Sequence, residues 1–88
     1  MKNVFSDLVV SWKIVKDVLL QFGFKEIRKE GKLVYLYFEK REIRVQVTKE
    51  KRIFEITLRQ IMDQSQIPEE YFIAAIKLAK YSNREFLK

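Results

Sequence analysis

The chain has 88 residues, 48% of them hydrophobic, and carries 18 Lys and Arg against 12 Asp and Glu, a net charge of +6. That length suits one core and hardly two, because so short a chain buries only about two-thirds of its unfolded surface. Cysteine and histidine are absent, which excludes disulfides, thiolate metal sites and the commonest general base, while the positive balance favours polyanionic partners.

Asp7 lies inside the first apolar run, and Lys13, Lys16 and Asp17 interrupt the stretch from Val4 to Phe22. Neither a signal peptide nor a membrane span fits that pattern. The expectation is a soluble cytoplasmic protein, with residues 1–88 as one domain and no membrane partner.

Between Val4 and Gln21 the residues Val4, Phe5, Leu8, Trp12, Val15, Leu19 and Phe22 recur at three- and four-residue spacing and predict a helix that Gly23 ends. Trp12 reads as a core anchor. Val10, Ile14 and Leu20 fall outside this stripe, so the helix has more apolar surface than one sheet face requires. A second copy of the chain is one candidate to cover it, and a deep seat against the rest of the fold is the other.

From Phe24 to Leu58 four strand-like segments follow one another and predict an antiparallel meander. Glu30-Gly31 separates Phe24–Lys29 from Lys32–Phe38, with glycine supplying the positive φ of a tight hairpin. Ile43, Val45 and Val47 alternate with Arg44 and Gln46. Phe54, Ile56 and Leu58 alternate with Glu55, Thr57 and Arg59. The second strand has two apolar faces, and register decides between them. Connections centred on Lys40-Arg41 and Glu50-Lys51 place Val34, Leu36 and Phe38 beside Val47, Val45 and Ile43, with Ile27 joining the inner set. Phe24, Glu26, Arg28, Tyr35, Tyr37 and Arg44 then face outward; burying the tyrosines instead would enclose their hydroxyl groups.

After a polar connection in which Ile61 and Met62 need cover, Pro68-Glu69-Glu70 opens a last helix running to about Asn83 or Phe86. Tyr71, Phe72, Ala75, Ile76, Ala79 and Phe86 form its inward stripe, and Lys77, Lys80, Arg84 and Lys88 its basic side. The predicted fold is thus α+β: a four-stranded antiparallel meander with an N-terminal and a C-terminal helix packed on one face. Its order on a basic chain resembles, in outline, the double-stranded RNA-binding domain, which has three strands between its helices. That family opens its second helix with small and lysine residues that grip phosphates, whereas Pro68, Glu69 and Glu70 stand here, and no residue carries over.

Two surfaces are candidates for function. A meander brings its first and third turns to one end, gathering Lys29, Lys32, Lys49, Lys51 and Arg52 into a cationic cluster suited to phosphates. Tyr35 and Tyr37 with Arg28 and Arg44 on the open sheet face suit stacking on exposed bases. The scattered carboxylates Asp7, Asp17 and Asp63 build no two-metal centre, and two glycines cannot form a phosphate-cradling loop. These residues point away from an enzyme and call for no cofactor. The expected function is a small nucleic-acid-binding accessory protein, for DNA or RNA, that contacts mainly the backbone with little sequence preference. A protein-interaction module docking through the open sheet or the first helix is the alternative, because aromatic and arginine residues serve protein interfaces equally well.

Overall fold

A computed structural model of the chain describes residues 9–86, with side-chain surroundings for residues 9–80. Its elements are α1 (Trp12–Gln21), β1 (Lys25–Glu30), β2 (Leu33–Phe38), β3 (Ile43–Thr48), α2 (Glu55–Ser65) and α3 (Glu69–Phe86). The class is α+β, with a three-stranded antiparallel sheet in the order β1-β2-β3 and three helices.

Helix α1 begins later than its apolar spacing suggests. The Ser11 side chain accepts a hydrogen bond from the Ile14 N–H and caps the helix. Val10, by contrast, is extended and forms an isolated antiparallel bridge with Ile53; Val4, Phe5 and Leu8 lie outside the described residues. At the other end the Gly23 N–H donates to the Leu20 carbonyl and the Phe24 N–H to the Leu19 carbonyl. This is the two-bond Schellman closure, which needs the positive φ of Gly23, here +101°. It turns Phe24 back onto Leu19, and both are buried.

The expected pairing of β2 with β3 holds: Val34 faces Val47, Leu36 faces Val45 and Phe38 faces Ile43. Tyr35 and Tyr37 therefore sit opposite Gln46 and Arg44 on the other side of the sheet. The first strand departs from expectation in two ways. Its turn is Gly31-Lys32, since Glu30 already pairs with Leu33, and a bulge between Glu26 and Arg28 leaves Ile27 without a partner on β2. The extra residue reverses the side-chain parity of the strand before it. So Phe24, expected outside, is buried and stacks on Phe38 at 5.4 Å between ring centroids. Glu26 lies beside Leu36 on the buried side, and Ile27, expected inside, is 56% exposed.

The fourth strand is not formed. Only Ile53 pairs, with Val10, and α2 begins at Glu55. Phe54, Ile56 and Leu58 alternate like a strand, yet Leu58, Ile61, Met62 and Ser65 recur at helical spacing over a longer run, and these are the residues that α2 buries. Phe54 and Ile56 are consequently exposed. α2 packs against β3, and α1 packs against α3, β3 and β1. A single cluster unites Val15, Val18 and Leu19 of α1 with Val34, Leu36, Val45 and Val47 of the sheet, Leu58 and Ile61 of α2, and Phe72 and Ile76 of α3. The α2–α3 corner is tied by Ser65, whose buried hydroxyl donates to the Met62 carbonyl and accepts from the Ile67 N–H.

Helix α3 starts where Pro68 and the two glutamates predict, and it buries Phe72, Ala75 and Ile76. Ile73 is buried as well, whereas Tyr71 is exposed. Lys80, expected on an open basic side, reaches back to the Val9 carbonyl at 3.3 Å. No helix among the described residues is long and apolar enough to cross a membrane.

Candidate nucleic-acid interface

The β1–β2 turn and the exit of β3 lie at the same end of the sheet. The Lys49 N–H donates to the Lys32 carbonyl at 2.7 Å, one step beyond the last ladder pair, Leu33 with Thr48. Helix α1 joins this rim because the Trp12 N–H donates to the Glu50 carbonyl at 3.0 Å. The indole of Trp12, expected as a core anchor, is half-buried and packs against the core, and three ammonium groups lie near it: Lys49 at 5.7 Å from the ring centroid, and Lys13 and Lys16 at 6.0 Å each. An ammonium this close to an aromatic face is attracted by the ring quadrupole, so the indole helps hold like charges together that would otherwise spread apart.

The cations of this end differ in availability. Lys16 forms an ion pair with Glu26, and Lys29 approaches the same carboxylate at 3.6 Å. The hydrogen bond from Lys16, aided by the charges of Lys16 and Lys29, holds the Glu26 carboxyl below its ordinary value despite the opposing effect of partial burial. Lys13, Lys32, Lys49, Lys51 and Arg52 form no ion pair among the described residues. Lys51 and Arg52 are exposed in the link that leads from β3 to the Ile53 bridge. Sequence reasoning did not place Lys13, Lys16 and Trp12 at this end of the sheet. Their proximity to Lys49 comes from the antiparallel bridge that fastens the segment before α1 to Ile53, and no local pattern announces that contact.

The open face of the sheet carries the second group. The Arg28 guanidinium lies 5.0 Å from the Tyr35 ring centroid and the Arg44 guanidinium 5.9 Å from that of Tyr37. Arg28 also pairs with Glu30. These four residues share one face, as expected, and both rings are half-buried among their neighbours. Lys29 belongs to the opposite face, since it pairs with Val34.

The far end of the sheet has a different character. Phe22, Phe24, Phe38, Ile43, Ile67, Pro68 and Tyr71, with Arg41 beside them, line a groove of about 310 Å³. Leu20 and Phe22 are exposed on the last turn of α1, so part of the expected apolar excess of this helix is real. Val10 and Ile14 are instead taken up by the core or packed against it.

No protein-family model matches this chain, and a search of curated proteins finds no similar sequence.

Proposed function

We propose that the protein is a small nucleic-acid-binding accessory protein that holds its ligand mainly by the phosphate backbone, with little sequence preference. The observation that carries this reading is the backbone bond between Lys49 and Lys32. It makes one rim out of two turns and, with the Trp12 attachment, brings Lys13, Lys32, Lys49, Lys51 and Arg52 to the same end of the molecule. Lysines act as point charges toward phosphate and confer no base preference. Arg28 and Arg44 extend the positive surface onto the open sheet, where Tyr35 and Tyr37 assist. The setting that goes with this reading is the cytoplasm.

Binding measured against salt is the direct test. Each phosphate contact should lower log affinity by about 0.7–0.9 per unit of log salt, so the rim predicts a steep line. Trp12 is the only tryptophan, and displacement of ammonium groups from its ring on phosphate binding should change its fluorescence in the same titration. A flat salt dependence, or no binding at low ionic strength, rejects the reading.

The groove between Phe22 and Tyr71 favours a second reading, a protein-interaction module, because a contiguous apolar patch edged by aromatic residues is a common mark of a protein interface. Under it the open sheet face or the first helix docks a protein. A specific co-purifying partner would then be lost on Phe22→Ser or Tyr71→Ala if it docks at the groove, or on Tyr35→Ala or Tyr37→Ala if it docks on the open sheet face, and retained on Lys49→Ala.

A further inference from the structure

The bulge in β1 builds a feature that neither the rim nor the strand pattern contains. By leaving Ile27 unpaired between Glu26 and Arg28, it adds an exposed aliphatic side chain to the neighbourhood of Tyr35. Ile27, Arg28, Tyr35, Leu36 and Arg44 together line a cavity of about 240 Å³ on the sheet. This approaches the lower end of small-ligand sites, roughly 300 Å³. Its lining is one aromatic ring, aliphatic carbon and two guanidinium groups, with Arg28 already 5.0 Å from the Tyr35 ring.

We infer that this cavity receives an unpaired base of a single-stranded nucleic acid. The inference rests on the phosphate-binding reading above and specifies its ligand. A planar heterocycle can stack on the phenol ring or on a guanidinium plane, and the aliphatic surface of Ile27 covers an edge that would otherwise face water. The two arginines offset the charge of the phosphates on either side. A duplex cannot enter in the same way, because its bases are stacked inward and must be extruded first. Position agrees with chemistry. Tyr35 lies three residues along β2 from Lys32, about 10 Å at roughly 3.3 Å per residue, so a strand of a few nucleotides reaches from the cavity to the lysine rim. Oligonucleotide rather than a partner's aromatic side chain is the occupant favoured, because the cations continue from the cavity to the rim while Glu30 is the acidic group paired there.

The test compares labelled strands of about twelve nucleotides, within the footprint range of single-strand binders, each over the same series of salt concentrations. The strands are oligodeoxythymidine, oligouridine, an oligodeoxynucleotide of the same length whose bases are replaced by stable abasic tetrahydrofuran units, and a duplex. The base-bearing single strands should bind roughly tenfold tighter than the abasic strand, and the tighter of the two identifies the sugar. Ile27→Ser, charge-neutral and outside the cationic surface, should remove that advantage and leave abasic and duplex affinity unchanged, and Tyr35→Ala should likewise abolish the advantage of the base-bearing strands. Ile27 is exposed and Ile27→Ser leaves the core intact, so loss of the advantage in this variant cannot be ascribed to unfolding. Equal binding of thymidine and abasic strands with the steep salt dependence retained overturns the cavity and spares the rim. Absence of binding to every strand overturns both.

Discussion

At one end of the sheet Lys32 and Lys49 are joined through their backbones and three ammonium groups lie near Trp12; at the other, Phe22, Phe24 and Phe38 line a groove together with Tyr71. Each end has one glycine with positive φ, and the two glycines do different work. Gly31, at +58°, supplies the conformation of the β1–β2 turn, and a side chain there would meet nothing within 4 Å. Gly23, at +101°, supplies both conformation and space, because a Cβ would lie 2.9 Å from a Phe38 ring carbon. The rim is therefore a set of exposed charges on a backbone that tolerates substitution, whereas the aromatic end is a packed junction where α1, β1 and β2 converge. Function that depends on the rim should be separable from stability, and function that depends on the groove should not.

The largest effect expected from this contrast is on stability. Gly23→Ala forces a non-glycine residue into a conformation that costs about 1–3 kcal/mol and presses on the ring that stacks with Phe24. Gly31→Asn should cost less than about 1 kcal/mol, because asparagine enters the left-handed region readily and has open space. Urea midpoints for the two variants measure the difference directly, and equal losses would dissolve the distinction between the ends.

The converse holds for charge. In Lys32→Ala/Lys49→Ala, two phosphate contacts are removed from exposed or half-exposed positions. Affinity should fall about thirtyfold at 0.1 M salt, and the salt slope should flatten by about 1.4–1.8. The urea midpoint should hardly move. A slope unchanged in this variant would mean that the joined turns are not where the phosphates lie.

The same contrast shows which parts of the molecule could be read in advance. The pairing of β2 with β3 was legible, because placing aliphatics inward and phenols outward satisfies both strands in only one register. The gathering of Lys32 and Lys49 followed from that antiparallel order, since Lys49 directly follows the strand that pairs with β2. The first strand was misread at Phe24, Glu26 and Ile27, since one unpaired residue reverses parity and nothing in Lys-Glu-Ile-Arg marks a bulge. The missing fourth strand has another cause. Phe54, Ile56 and Leu58 satisfy a two-residue period over a short stretch, and only by extending the window to Ile61, Met62 and Ser65 does the helical period win. With that strand absent, the segment after Lys49 is held by Val10 pairing with Ile53, a contact of long sequence separation. This brought Trp12, Lys13 and Lys16 to the rim unannounced.

Glu26 allows the smallest and most specific probe, because it draws on Lys16 and Lys29, the two cations of this end that are already engaged. The hydrogen bond from Lys16 lowers its carboxyl pKa in the folded protein below the ordinary 4.5. Over the interval between the folded and unfolded values the unfolded chain binds more protons, so stability rises with pH there. The contribution is complete above about pH 4.5 and is lost as the pH falls through the lowered folded value. Glu26→Gln abolishes this titration. The wild type should therefore lose stability faster than the variant on acidification below about pH 4.5, and the gap between their urea midpoints should close toward the acid end. The substitution also frees the Lys16 ammonium beside Trp12 and the Lys29 ammonium, so nucleic-acid affinity at neutral pH should rise slightly with a steeper salt slope. Parallel pH curves would show that Lys16 and Glu26 stand near one another without coupling, and an unchanged salt slope would leave the rim confined to Lys13, Lys32, Lys49, Lys51 and Arg52.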